Sequence, residues 1–302
     1  MGNIQMENLR ITTQDIQDQV LSENNVSLAV LRLDLVDPVI SGNKLFKLQP
    51  YLQDALLLYN RIITFGGPYS NHLAATAAAC NRNNVRCIGI IRGERPSTLS
   101  ATLLYCESQE MILKFIPREE YKKKTGILFA NKLREEFGEH ILIPEGGYGI
   151  KGVNGASKIA EFYDSGYSHI CCPVGTATTL AGLIKGSDNN ISFIGFSAIK
   201  ALGDFDERMA LLLPGRHLKN YVLNNTYHFG GFAKRTPELL DFMNRFFKLH
   251  SVPSDFVYTA KMFFGILELV KTHYFKSGSK ILCIHTGGLQ GNLSLPPGTL
   301  CF

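Results

Sequence analysis

Short β-branched runs alternate with helical stretches along this chain, and that alternation leaves few folds open. Ser27–Asp34 (SLAVLRLD), Arg61–Phe65 (RIITF), Arg86–Arg92 (RCIGIIR), Ile112–Ile116, Ile141–Ile143, His169–Pro173, Ile191–Phe196 and Ile281–His285 read as strands. Between them, Gln49–Leu58, His72–Arg82, Ser100–Gln109, Lys122–Phe137, Asn154–Tyr163 and Thr178–Ile184 read as helices. Strands separated by helices pair in parallel, because a parallel neighbour needs a long crossover connection. The spacing therefore predicts an α/β protein built on open parallel sheets. At 302 residues the chain suits two domains or one large α/β unit. No Pro/Ser-rich linker divides it, so a second domain would be inserted into the first.

Composition narrows the function. With 45% hydrophobic and 19% charged residues, the chain is neither disordered, collagenous nor a coiled coil. Its net charge of +5 is spread along the sequence, which does not suit a nucleic-acid partner. Met1–Gln19 is polar and carries both charge signs, unlike a signal peptide. No apolar run reaches the ~18 residues of a membrane span. The richest late segment, Val257–Val270, is interrupted by Lys261, Gly265 and Glu268. Seven cysteines without a CxxC pair predict reduced, mostly buried thiols in a cytoplasmic protein. Eight scattered histidines without HExxH spacing predict no metal site.

Ligands of parallel sheets bind where strands end and helices begin. Four such places carry polar residues. The first is Ser41-Gly42-Asn43-Lys44, a turn that sets Lys44 at a helix start. Lys44 and Lys47 are each either a functional amine or an ordinary solvated lysine. The second is Gly66-Gly67-Pro68-Tyr69-Ser70-Asn71-His72, where Ser70 or Asn71 is a natural cap. The exposed amides there either receive only that cap or bind a carboxylate. The third is Pro173-Val174-Gly175-Thr176-Ala177-Thr178-Thr179, whose amides and hydroxyls suit a monophosphate. It lacks the lysine of a nucleotide-triphosphate loop. The fourth, His285-Thr286-Gly287-Gly288, reads as a C-terminal turn or a cleft wall. Gly147-Tyr148-Gly149-Ile150-Lys151-Gly152 matches GxGxxG, but the next strand lacks the ribose-binding acid, so a dinucleotide site is not expected.

Taken in order, SGNKLFKL, GGPYSNHLAATAAA, PEGGYG, PVGTATTLAGL, VYTAK and HTGG resemble a pyridoxal-phosphate family of the tryptophan-synthase-β type. Within it, the chain is similar to the 1-aminocyclopropane-1-carboxylate deaminase and D-cysteine desulfhydrase branch. The resemblance runs from about residue 28 to the end. It implies two open twisted parallel-sheet α/β domains, with residues 47–147 inserted into a larger domain formed by 1–46 and 148–302. It also implies pyridoxal 5'-phosphate as cofactor, a small amino-acid substrate and a homodimer.

Carried over by position, the resemblance makes Lys44 the Schiff-base lysine and places Asn71 near the cofactor's phenolic oxygen. It makes Ser70 a proton shuttle or nucleophile. Ser70, Asn71 and His72 then surround the substrate. Gly175, Thr176, Ala177, Thr178 and Thr179 hold the phosphate, Tyr258 faces the substrate, and Thr286 lies on the pyridine side. Tyr258 is the implied acid for the leaving group. The deaminases of this family carry Glu after that tyrosine and Leu at the HTGG threonine; this chain has Thr259 and Thr286. That resembles the desulfhydrase side, with a neutral partner, Thr259 or Thr286, at the ring nitrogen. A second family tyrosine aligns with Phe232, which has no hydroxyl to give. The activity implied is β-elimination from D-cysteine, with aminocyclopropane-carboxylate deamination and non-catalytic binding as alternatives.

Overall fold

The computed structural model describes residues 9–188, 190–200, 202–215 and 220–302. The first half of the chain runs β1 (Thr13–Ile16), α1 (Gln19–Glu23), β2 (Ser27–Leu31), α2 (Asn43–Leu58), β3 (Arg61–Gly66), α3 (Asn71–Arg82), β4 (Arg86–Arg92), α4 (Ala101–Ser108), β5 (Ile112–Ile116), α5 (Arg118–Tyr121), α6 (Ile127–Phe137) and β6 (Ile141–Ile143). The second half runs α7 (Ile150–Ser157), β7 (His169–Val174), α8 (Thr178–Gly186), β8 (Ser192–Ser197), α9 (Phe205–Leu212), β9 (Tyr221–Asn224), α10 (Pro237–His250), α11 (Thr259–Lys271) and β10 (Lys280–Ile284).

Two sheets result. The smaller is fully parallel in the order β5-β4-β3-β6. The larger has the order β1-β2-β10-β7-β8-β9 and is parallel except for β1, which pairs antiparallel with β2. The expectation of parallel α/β sheets holds, with that one edge strand as the exception. Thr64 on β3 pairs with Gly89 on one side and Ile143 on the other, which fixes the register beneath the α3 start.

The largest apolar cluster draws on both sheets. Leu31 and Ile284 come from the larger sheet, Ile62 and Ile143 from the smaller, and Phe46, Leu48 and Leu73 from the helices between. Each such side chain contributes about 1.5–3 kcal/mol by leaving water. A second cluster lies on the other face of the larger sheet, where Val30 and Cys283 meet Phe246 and Phe263. A third joins Ile63, Phe65 and Ile90 to Phe129 and Leu133.

Three helices depart from the sequence reading. Helix α2 begins at Asn43, as the turn before Lys44 predicts, and runs on without a break through the stretch read from Gln49, so Pro50 lies inside it. The proline leaves the Phe46 carbonyl without its helical donor. Gly155 of α7 packs against that oxygen, and a Cβ there would fall 2.1 Å from it. The predicted helix over 122–137 forms only from Ile127, as α6 with Gly126 at its N-cap, and α5 lies before the predicted range. The predicted helix over 154–163 starts earlier, at Ile150, and ends in a 3-10 turn over Lys158–Phe162. Gly147 and Gly152 of the GxGxxG run meet each other: a Cβ on Gly152 would fall 2.0 Å from the Gly147 carbonyl. These glycines serve a tight turn and close packing. Cys301 is exposed, and the other six thiols are buried and unpaired. Among the described residues no helix is long and apolar enough to cross a membrane, and no His/Cys/Asp/Glu group is arranged to hold a metal.

Candidate active site

Gly42 turns the chain into α2 with a left-handed φ of +64°. A Cβ at that position would fall 1.9 Å from the Thr286 carbonyl oxygen, so only glycine lets α2 start against the loop after β10. The Asn43 N–H donates to that carbonyl at 3.4 Å. The Asn43 side-chain Nδ2 donates to Thr179 Oγ1 at 2.6 Å, and its Oδ1 accepts from Lys44 Nζ at 2.8 Å. One asparagine thus joins α2, the β10 loop and the α8 start around the Lys44 amine.

Burial pushes the Lys44 amine down to about 8, with the Asp255 carboxylate opposing the fall. Lys47 is buried and donates to the Gly146 carbonyl. Burial, and then the Lys44 charge, hold it well below the ordinary lysine range. Neither residue is a solvated surface lysine, which closes that alternative.

At the α3 start, Ser70 is the cap: its Oγ accepts from the Leu73 N–H at 3.3 Å. A Cβ at Gly66 would fall 2.8 Å from that oxygen, which explains the glycine. His72 is buried. Thr64 Oγ1 donates its one proton to the Ile143 carbonyl, so it must accept at 2.8 Å from His72 Nε2. That places the ring proton on Nε2 and leaves Nδ1 a buried acceptor without a partner. Burial, then Lys47 and Lys44, push the imidazole well down and keep it neutral. Asn71 Nδ2 donates to the Gly288 carbonyl at 3.2 Å, and its buried Oδ1 is also unpartnered. Two orphaned acceptors on consecutive residues mark a place built for a ligand rather than a simple cap.

The turn from β7 into α8 shows the same incompleteness. Ala177 occupies the N-cap with φ +64°, a conformation that costs an alanine about 1–2 kcal/mol. It has no side chain to cap the first-turn amides. Thr176 and Thr178 bring their hydroxyls to 3.1 Å of each other, and Thr178 and Thr179 are buried. An uncapped, buried helix start with hydroxyls beside it suits a phosphate group.

Asp255 and Thr259 are fully buried at the α11 start. Asp255 Oδ1 accepts from the N–H groups of Val257 (3.0 Å) and Tyr258 (2.8 Å), and Oδ2 from the Thr259 N–H (3.0 Å) and hydroxyl (2.8 Å). Thr259 Oγ1 in turn accepts from the Asp255 N–H at 2.8 Å. The one proton of the Thr259 hydroxyl is thus spent on Asp255, and none is left to donate to a ligand. Of the two threonines expected at the ring nitrogen, Thr259 has no proton to offer it, which leaves Thr286. Burial raises the Asp255 pKa, against the pull of these donors.

Tyr258 Oη would stand 3.5 Å from a Cβ on Gly175, so its hydroxyl lies over the first residue of the α8 turn. Burial and the Asp255 and Glu145 carboxylates push the phenol well up and keep it protonated. Phe232 packs edge-on against its ring at 6.0 Å. His285 Nε2 donates to the Pro253 carbonyl at 2.7 Å and Nδ1 accepts from the Gly287 N–H at 3.3 Å, tying this segment to the β10 loop.

The structure therefore brings Lys44, Asn71, the 175–179 turn, Tyr258 and the loop from Thr286 to Gly288 together at the strand ends. Sequence reasoning misses Asn43 and Asp255, and it weighs Lys47 without giving it a role. Asn43 had turn chemistry as its only signal, and Asp255 carries a signal only once it is seen to be buried.

Fold and site together define a pyridoxal-phosphate enzyme of the tryptophan-synthase-β type. Solved structures at 14% identity, such as O-ureido-L-serine synthase (TM-score 0.68, 96% of this chain and 94% of that one), share the fold. A crystal structure described as an "ACC deaminase homologue" matches with TM-score 0.81 and 26% identity over 96% of this chain and 92% of that one. In sequence, a Thermotoga maritima protein named "Putative 1-aminocyclopropane-1-carboxylate deaminase" is 30% identical over 285 residues, 88% of this chain and 89% of that protein. An Arabidopsis thaliana "Bifunctional D-cysteine desulfhydrase/1-aminocyclopropane-1-carboxylate deaminase, mitochondrial" is 29% identical over 295 residues, 89% of this chain and 74% of that protein. No protein-family model matches the chain. The chain belongs to the pyridoxal-phosphate-dependent 1-aminocyclopropane-1-carboxylate deaminase/D-cysteine desulfhydrase family of lyases. The left-handed Ala177, the uncapped α8 start and the perturbed Lys44 amine fit that cofactor.

Proposed function

We propose that this protein catalyses β-elimination from a small β-substituted amino acid, with D-cysteine as the minimal substrate and pyruvate, ammonia and sulfide as products. The observation that carries the reading is the neutrality of positions 259 and 286. The Thr259 hydroxyl is bonded to Asp255 on both sides, and the Asp255 oxygens already accept four donors. That leaves Thr286 as the ring partner this reading assigns, and it carries no acid. A neutral partner makes a shallow electron sink, which suits fast loss of a good leaving group better than opening of an aminocyclopropane ring.

Bound pyridoxal phosphate supplies the electron sink that acidifies the substrate Cα–H. Gly175, Thr176, Ala177, Thr178 and Thr179 would hold its phosphate, and Lys44 its aldehyde carbon. The chain's own residues do the rest. Lys44, at about 8, is neutral in roughly one molecule in ten at pH 7, against about one in three thousand at its ordinary value. Its free amine takes the Cα proton. The α3 amides with Ser70 and Asn71 hold the substrate carboxylate, and His72, kept neutral, offers only an acceptor. Tyr258 stays protonated and can give its proton to the departing group. The reaction breaks Cα–H and Cβ–X, X leaves with the bonding pair, and one water is consumed as pyruvate and ammonia form.

The test is turnover of the purified yellow protein with D-cysteine, D-serine and 1-aminocyclopropane-1-carboxylate. Pyruvate with sulfide from D-cysteine supports the reading. 2-Oxobutyrate from the cyclopropane with no sulfide from D-cysteine overturns it in favour of deamination. Spectral changes without any keto acid overturn it in favour of a binding protein.

A further inference from the structure

The four strands of the smaller sheet are parallel, so their C-terminal ends share one edge. The end of β3 leads to the Ser70–His72 loop already described. The ends of the other three carry a second polar set that the mechanism does not use. Arg92 closes β4, Tyr121 and Lys124 follow β5, and Glu145 follows β6.

These residues form one cluster. The Arg92 guanidinium lies against the substrate loop: a Cβ on Gly67 would fall 3.2 Å from its Nη2. The same guanidinium stands 5.8 Å from the Tyr121 ring centre, and the Lys124 ammonium 4.4 Å from it. Lys124 pairs with the Glu145 carboxylate at 3.2 Å, so those two charges offset each other. Arg92 is exposed, and among the described residues no carboxylate is in ion-pair reach of it. One positive charge is left over at the rim. Tyr121 is only 2% exposed, and its hydroxyl sits beside the Glu145 carboxylate without a well-aligned hydrogen bond to it. A buried phenol with no well-aligned acceptor, next to an unpaired guanidinium, leaves this cluster short of a third group.

The missing group must accept hydrogen bonds and carry negative charge. It cannot be the α-carboxylate of the substrate, which the α3 start takes on the next strand. We propose that this rim binds the anionic end of the substrate's β-substituent. The preferred substrates are then amino acids with a carboxylate or sulfonate beyond the leaving atom. Arg92 would be the specificity-determining residue and Tyr121 the second donor. The inference rests on the elimination reading for its substrate class but not for its site.

The experiment uses the holoenzyme and two readouts. The first is binding, followed by the change in cofactor absorbance, of glutamate and glutamine in both enantiomers, since neither carries a leaving group at Cβ. The second is the ratio of kcat/KM for S-carboxymethylcysteine over S-methylcysteine, measured as pyruvate. Wild type should bind glutamate at least tenfold more tightly than glutamine and show a ratio of at least ten. Arg92→Gln should bring both preferences to within twofold of one, and Tyr121→Phe should reduce them severalfold. Equal binding of glutamate and glutamine by wild type, or an unaltered preference in Arg92→Gln, overturns the subsite. Absence of pyruvate from every compound overturns the elimination reading instead, and the binding preference then decides the subsite on its own.

Discussion

Lys44→Met should make the cofactor-free protein more stable at neutral pH, because the site holds its lysine in an unfavourable charge state. Taking an amine from its ordinary 10.5 to about 8 costs about 3 kcal/mol when the group is charged. The sign follows from proton counting. Between pH 8 and 10.5 the unfolded chain keeps a proton on Lys44 that the folded chain releases, so wild-type stability rises with pH across that window. Below pH 8 both states are charged and the penalty is complete; above 10.5 both are neutral and it is gone. Methionine removes the charge and keeps most of the stem. It also loses the 2.8 Å bond to Asn43 Oδ1, worth about 1 kcal/mol. The net expectation is a gain of about 2 kcal/mol at pH 7, trimmed by whatever water reaches the part-buried amine. At pH 9.5 less than half of the charge penalty remains, and the gain nearly vanishes. Urea unfolding of both proteins, freed of cofactor, at pH 7 and 9.5 measures this. A variant less stable than wild type at pH 7, or a gain equal at the two pH values, refutes the claim that burial depresses the Lys44 amine.

Gly42→Ala places a methyl 1.9 Å from the Thr286 oxygen at a left-handed φ, so a loss above about 3 kcal/mol is expected, with no uptake of cofactor colour. Near-wild-type unfolding would show that α2 can start without touching the β10 loop. Ala177→Gly relieves a left-handed alanine worth about 1–2 kcal/mol, against about 0.5–1 kcal/mol of added chain entropy. The cofactor-free variant should be equal to or slightly more stable than wild type by urea unfolding, and a clear loss would mean that the α8 turn is not strained. Ser70→Ala removes the cap of α3 and should cost about 1 kcal/mol while keeping the cofactor's absorbance. Turnover should fall strongly, and an unchanged kcat would remove Ser70 from the mechanism.

How much of this was legible in the sequence depends on which residues carry local signals. Central strands were legible because β-branched runs such as RIITF have few other destinations. The turn before Lys44 announced the start of α2 but not its run through Pro50, which normally marks a helix beginning; only the packing of Gly155 on the freed Phe46 carbonyl shows why the proline lies inside. The sequence reading has no helix over 237–250, although Thr236 followed by Pro237 and Glu238 is a start signature and Phe242, Met243 and Phe246 share one buried face. For the site, glycine-rich strand ends pointed to the loops that the structure brings together. They could not separate Lys44 from Lys47, or expose Asp255, because burial and hydrogen-bond saturation are properties of the assembled cleft.

Asp255 shows why that distinction matters for the chemistry. The family branch with Glu at position 259 would place a carboxylate there on a flexible stem. In this chain a carboxylate is present four residues earlier, but every lone-pair direction meets a donor: three backbone amides and the Thr259 hydroxyl. A carboxylate so enclosed cannot turn toward a ring nitrogen without leaving several buried donors unpaired, at about 1–3 kcal/mol each. Its field still reaches Lys44 and opposes the fall of that amine. On the proposed reading, the same charge tunes the base and is withheld from the ring. An enzyme arranged in this way has a moderately free lysine and a weak electron sink, a pairing that favours reactions in which the leaving group departs as soon as the proton is taken.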